Sequence, residues 1–155
     1  AWLVDVPDLS VGVHLAAVGE DPPVLTAREV PTLVDEHGRF RASWRQLLPA
    51  LAAGRVDAED LRREFEAQVA LVSGIIGTPS HLDTHQHVHL WPSVGRLVVD
   101  LAQRHGIGAV RVPAPSRHGA RSVAISLLTK RLRRRVGAAG LASTDRFHGP
   151  ENAGV

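Results

Sequence analysis

The densest chemistry in this chain lies in the run HLDTHQHVHL, where His81, Asp83, His85, His87 and His89 recur at every second position. In extended backbone alternate side chains share a face, so these would project one way while Leu82, Thr84, Gln86 and Val88 project the other. Neutral imidazole is a common ligand of divalent metals and a proton carrier near neutral pH, and a carboxylate completes such a site. The chain contains no Cys, so a metal centre here must use His, Asp or Glu. A strand rises about 3.3 Å per residue, which separates His85 from His89 by roughly 13 Å. They cannot share one ion along a straight strand, so the alternation is expected to fail toward its end, and Asp83 to His87 is the favoured stretch. Taken singly, each histidine reads equally well as a surface residue or as a core imidazole bonded to backbone. The cluster with its aspartate is what points to a metal.

His14 is the second candidate, the single polar side chain in the apolar run VGVHLAAV. Alone it would be assigned to a satisfied buried position. The elements that must position these groups alternate short extended runs with longer helical ones, the pattern of an α/β domain with parallel strands. Ala1 to Val4 read as the last turn of a helix, and Val11 to Val18 as a buried strand. Residues 19–41, rich in Pro and containing DEHG, form a long excursion with little regular structure. Ser43 caps a helix through WRQLLPALAAG, which Pro49 should kink or divide.

Asp57 caps a stronger helix with Leu61, Phe65, Val69 and Val72 at helical spacing. Pro92 opens the next helix, with Val94, Leu97, Val98 and Leu101 on one face and Gly106 as its stop. Ile107 to Val112 is a further strand, Ala120 to Val136 a further helix, and Leu141 to Phe147 begins another strand. On the helix, KRLRRR at Lys130 to Arg135 reads as a solvated face opposite an apolar stripe of Leu127, Leu128 and Leu132.

Composition bounds the rest. Of 155 residues, 44% are hydrophobic and 22% charged, ordinary globular usage that excludes a disordered or fibrous chain. No apolar run approaches the roughly 20 residues a membrane-spanning helix needs. The start AWLVDVPDLS has neither Met nor the basic segment of a signal peptide and looks cut. With no disulfide framework, a cytoplasmic location is expected. A formal charge of only +2 demands no polyanion, so no nucleic-acid partner is expected.

The segments VGVHLAAV, PTLVDEHGRF, HLDTHQHVHLWP and AVRVP stand in an order and spacing that resemble the YdjC-like, or ChbG-type, carbohydrate deacetylases. That family includes chitooligosaccharide deacetylases and relatives in hopanoid biosynthesis. HLDTHQHVHLWP is the specific motif, VGVHL supports it, and the resemblance covers nearly all of the chain. It implies part of an irregular (β/α) barrel with parallel strands, a single domain over residues 1–155 that is an internal piece lacking N-terminal and C-terminal elements.

The resemblance further implies one divalent ion, Mg or Zn, with His14 and His85 as ligands, while Asp83, His87 and His89 orient ligands or touch substrate. The family's metal-binding aspartate and catalytic base form an Asp-Asp pair on its first strand. Asp5 and Asp8 lie too near the His14 strand to be that pair, so it is expected before residue 1, and the catalytic residues within this chain are unknown. A further His-containing segment of the family is expected beyond the end. The implied activity is hydrolysis of N-acetyl groups from an acetylated amino sugar or oligosaccharide, with this piece inactive by itself.

Arg111, at a strand end, and the loop of Asp35, His37 and Arg39 are candidates to meet sugar hydroxyls or the oxyanion, beside ordinary salt-bridged roles. A noncatalytic binding domain on a degenerate barrel is the alternative. A basic nucleic-acid module built on KRLRRR is a third reading, against which the lack of interleaved aromatics counts. An open sheet edge would favour self-association into a homo-oligomer.

Overall fold

Leu15, Leu82 and Val110, all fully buried, sit on three neighbouring parallel strands: β1 (Val13–Leu15), β2 (His81–Thr84) and β3 (Ala109–Val110), in the order β1-β2-β3. The computed structural model describes residues 10–113 and 120–143. The segments read as Ala1 to Val4 and the continuation beyond Ser143 lie outside those residues, as do Asp5 and Asp8. Helices α1 (Trp44–Ala52) and α2 (Ala58–Ile76) fill the crossover from β1 to β2, α3 (Pro92–Arg104) that from β2 to β3, and α4 (Ala120–Ala138) follows β3. The strand order advances without reversal, with a helix on each crossover, which is consistent with an arc of a (β/α) barrel wall.

Local signals explain most element boundaries. Asp57 accepts a hydrogen bond from the Glu59 N–H at 2.9 Å, an N-cap, and α2 buries Leu61, Phe65 and Val69. Pro92 occupies the first turn of α3, where its missing N–H has no intrahelical partner to lose. Of the two outcomes expected of Pro49, a kink or a division, α1 is not divided, and the helix runs on through it. Pro49 forfeits only the bond to the Arg45 carbonyl, while buried Leu47 and Ala50 hold the helix to the core.

The strands are shorter than their apolar runs. β1 stops at Leu15 because Gln68 of α2 takes both backbone groups of the next residue: its Oε1 accepts from Ala16 N at 2.8 Å and its Nε2 donates to Ala16 O at 2.7 Å. Near the expected fourth strand, Ala142 makes an isolated parallel bridge to Ala109.

The excursion from residue 19 to 41 does lack regular structure, apart from single bridges of Val18 to Arg41 and Val34 to Phe40. It buries Val30, Leu33 and Phe40 and is fastened by carboxylates of α2. Glu64, fully buried, accepts from the N–H groups of Val24 and Leu25 at 2.8 and 3.0 Å and from Gln68 Nε2 at 2.7 Å. Asp60 accepts from the N–H and hydroxyl of Thr32 at 2.9 and 2.6 Å. Asp35 and Arg39 are engaged in the tip of this loop, where Asp35 accepts from the N–H groups of His37 and Arg39, each at 2.9 Å.

Among the described side chains of α4 the buried ones are Thr129, Leu132 and Val136, whereas Leu127 is 62% exposed. At 3.6 residues per turn, Leu127 stands about 140° around the helix from Leu132. Lys130, Arg131 and Arg134 are exposed, as a solvated outer face requires. Among the described residues no helix is long and apolar enough to cross a membrane.

Two tests follow from the fastening. Glu64→Ala leaves buried donors unmet and should lower the unfolding free energy by about 3 kcal/mol, measured by urea denaturation, with the first proteolytic cuts falling within residues 19–41. Glu66 is ion-paired with Arg104 and bonded to His105 Nε2 at 2.6 Å. Burial raises its pKa, but the His105 hydrogen bond and the Arg104 and Arg62 charges outweigh burial and hold it below 4.5. A depressed carboxylate stabilises the fold above its unfolded pKa and loses that contribution as pH falls through its folded value. Glu66→Gln should therefore cost about 1 kcal/mol at pH 7, and the gap from the unaltered chain should close below pH 4.5.

Candidate metal centre

Parallel pairing brings the site together. The register sets Val13 opposite Leu82, His14 opposite Asp83 and Leu15 opposite Thr84, so His14 and Asp83 share one face while Leu15, Leu82 and Thr84 are buried on the other. On the far side of β2, Arg111 N donates to Leu82 O at 2.9 Å, which places Arg111 beside Asp83. His14, Asp83 and Arg111 thus form one row at the carboxyl ends of the strands, where parallel α/β proteins carry their sites. His14 does not occupy a buried position, since its side chain is 54% exposed.

Asp83 is the hub of the row. Its Oδ2 accepts from His14 Nδ1 at 3.2 Å and from the Arg111 guanidinium at 2.5 Å, and its Oδ1 accepts from Thr84 N at 2.7 Å. Burial raises the Asp83 pKa, yet the hydrogen bonds from His14 and Thr84 and the charge of Arg111 bring it down to about 2. An ionised Asp83 keeps the proton of His14 on Nδ1, which leaves Nε2 with a bare lone pair. That lone pair faces His85, with His14 Nε2 and His85 Nδ1 3.3 Å apart. Gly19 lies against this pair, and a Cβ there would come within 3.2 Å of His85 Nε2.

The strand ends at Thr84, and the expected alternation ends with it. His85–Leu90 forms a tight 3-10 turn in which Gln86 and His87 have φ of 52° and 54°. Left-handed backbone disfavours any residue bearing a Cβ, so the turn is held from outside. Gln86 Oε1 accepts from Trp44 N at 2.9 Å, supplying the first turn of α1 with the acceptor that Ser43 does not provide. His89, fully buried, holds the other end, with its Nδ1 against Thr84 Oγ and its Nε2 2.9 Å from Arg111 O. Burial lowers the His89 pKa to about 4, so the ring is neutral. A carbonyl only accepts, so Nε2 carries the proton and Nδ1 accepts from the Thr84 hydroxyl.

The expected residues therefore separate into groups. His14, His85, Asp83 and Arg111 converge. His87 stands at the edge, its Nδ1 3.9 Å from Asp83 Oδ1, with its pKa lowered chiefly by burial. His81 shares the Asp83 face but lies at the opposite end of β2, packed so closely on Gly12 that a Cβ there would fall 2.5 Å from its ring. Asp83, His87 and His89 each offer an atom within 4.8 Å of the others, close enough to hold a divalent ion. Gln86, Thr84, Gly19 and Trp44 were not singled out from sequence. Their only local signal is a Gly after the His14 run and a polar residue inside the histidine run.

A sequentially wound parallel sheet with histidines and an ionised aspartate at its strand ends defines a (β/α) protein with an imidazole and carboxylate centre. The chain belongs to the YdjC-like protein family, whose model matches residues 1–154. It is 36% identical over 101 residues to a carbohydrate deacetylase of Halalkalibacterium halodurans, covering 65% of this chain and 40% of that protein. It is 31% identical over 103 residues to a chitooligosaccharide deacetylase of Serratia marcescens, covering 65% and 38%. A human carbohydrate deacetylase is 35% identical over 109 residues, covering 68% and 32%. The chain thus spans about two-fifths or less of the length of these relatives. The fold is similar to a crystal structure from Enterococcus faecalis V583 of a protein provisionally named for cellobiose-phosphate cleavage, with TM-score 0.64 and 23% identity over 93% of this chain and 49% of that one.

The turn yields its own test. Gln86→Ala keeps the left-handed backbone but loses the bond to Trp44, and should destabilise by about 1 kcal/mol. Gln86→Gly loses the same bond but relieves the backbone, and should lie within about 0.5 kcal/mol of the unaltered chain. Equal losses in both, by urea denaturation, would show that the backbone there is not strained.

Proposed function

We propose that this chain carries part of the active site of a metal-dependent hydrolase that removes N-acetyl groups from amino sugars or oligosaccharides, and that His14 and His85 are its protein ligands for one divalent ion, zinc or magnesium. The supporting observation is the pair of imidazole nitrogens facing each other at 3.3 Å. Two nitrogens bound to a tetrahedral zinc at 2.0–2.1 Å lie about 3.3 Å apart, so the pair fits an ion with little movement. Imidazole donors suit zinc better than magnesium, which prefers oxygen.

The competing set of Asp83, His87 and His89 fits less well. Both ring nitrogens of His89 already hold hydrogen bonds, and coordination through either would break one. Asp83 instead orients His14, as carboxylates behind metal-binding histidines do. Arg111 steadies Asp83 through its guanidinium, the salt-bridged role that stood beside substrate contact for this residue.

When bound, the ion would polarise the acetyl carbonyl and acidify a water. The residues of this chain would hold the ion, keep His14 in the tautomer that presents Nε2, and place His87 as a neutral imidazole beside the reacting group. The reading calls for a further aspartate ligand and a base, which the resemblance implies in an Asp pair upstream. The intact protein would form an irregular (β/α) barrel of which the three strands are one arc.

The test is zinc and magnesium titration by calorimetry at neutral pH, on this chain and on one extended upstream. His14→Ala or His85→Ala should abolish binding, and Asp83→Asn should weaken it about 10- to 100-fold. Loss of binding in His87→Ala with none in His14→Ala would assign the ion to the other set. Absence of binding even in the extended chain would leave a noncatalytic domain.

A further inference from the structure

Trp44 opens α1 with 44% of its surface exposed, although an indole has more apolar area to hide than other side chains. Its backbone N–H is bonded to Gln86, the residue directly after His85. Summing that bond, the Gln side chain and one Cα step puts Trp44 N within about 12 Å of the His85 Cα. The guanidinium of Arg45 lies over the indole, 5.5 Å from the ring centroid. The surroundings are polar, with exposed Gln86 and half-buried His85 and His87 nearby. The other large exposed hydrophobic residues among those described, Val24, Leu71, Ile75, Val123 and Leu127, lie on other elements. Trp44 is thus a single aromatic plate among hydrogen-bonding groups and not part of an apolar patch.

That composition matches one ligand chemistry. A pyranose ring with equatorial substituents presents flat C–H faces and a hydroxyl rim, so it needs an aromatic surface beneath and polar groups around it. Binding sites commonly combine an aromatic lining with a few placed polar groups in this way. An apolar ligand or a protein helix would need a broader apolar surface. We propose that Trp44 is a sugar-stacking residue, its indole receiving the C–H face of the pyranose next to the one whose acetamide lies at His14 and His85. This rests on the reading of the site as an amino-sugar deacetylase. It makes the site selective for an oligosaccharide, whose second ring the indole receives while the first is seated at the histidines. The bond between Trp44 and Gln86 holds the stacking plate and the histidine turn in fixed relation.

The experiment is calorimetric titration of the zinc-loaded chain with tri-N-acetylchitotriose and, separately, with N-acetylglucosamine. Trp44→Ala should weaken the trisaccharide about tenfold, leave the monosaccharide and zinc affinities unchanged, and be largely rescued in Trp44→Phe. Trp91→Phe, at an indole packed against the core, should change neither sugar. Equal trisaccharide affinity in Trp44→Ala overturns the stacking role while the zinc result leaves the deacetylase reading in place. A loss that extends to the monosaccharide or to zinc also overturns it, because Trp44 would then act by positioning the turn. Failure of the zinc-loaded chain to bind trisaccharide at all overturns it equally. Trisaccharide binding that depends on Trp44 but survives in His14→Ala and His85→Ala chains that bind no zinc would instead keep the stacking residue and remove the metal reading.

Discussion

A carboxylate taken out of water remains charged only if donors replace its hydration, and Asp83 has them from three directions. Its own strand contributes the Thr84 N–H, β1 contributes His14, and the segment after β3 contributes Arg111. The His14 and Arg111 donors depend on the parallel pairing, so the sheet and the centre are mutually dependent. Shifting β1 by one residue would turn His14 into the core and bring Val13 or Leu15 to the carboxylate. The charge on Asp83 then decides where the His14 proton resides, and through it which nitrogen faces His85.

Beyond the sheet, the chain makes an unfavourable turn to bring His85 into place. Two consecutive residues with side chains adopt left-handed backbone at Gln86 and His87, a conformation that costs roughly 1–2 kcal/mol per residue. The compensation is spread over separate elements. Gln86 caps α1, His89 joins Thr84 to the Arg111 carbonyl, and α3 presses Gly95 so closely on the turn that a Cβ there would lie 2.5 Å from the His89 carbonyl oxygen. Strain that persists because surrounding structure over-determines it is common where ligand groups must be aimed.

What could be read in the sequence was set by range. Asp57 and Pro92 act on their own first turns, and the helices they begin were legible. The run of histidines announced a site because its composition is local too. Pro49 does not divide its helix because the loss of one helical bond is small beside the burial of Leu47 and Ala50, which only the fold reveals. Leu127 departs from its expected stripe because helix geometry turns it about 140° from buried Leu132. The pairing of His14 with Asp83 spans 69 positions, and that of Trp44 with Gln86 spans 42. Neither leaves a trace in spacing. Resemblance to a family supplied the link between His14 and His85, and the left-handed turn that makes the link possible was invisible beforehand.

The way α2 grips the long loop bears on how this part of the protein can diversify. Glu64 and Gln68 reach past side chains to backbone amides and a carbonyl at Ala16, Val24 and Leu25, groups that almost every amino acid supplies. The path of the chain at these three residues is consequently insensitive to its own spelling, while two positions on the helix carry the specification. Outside its buried Val30, Leu33 and Phe40 and the bonded Thr32, mutations can accumulate in the loop at little penalty to folding, so its exposed positions are free to drift and be selected for new ligands. The same substitutions at Glu64 or Gln68 would be purged.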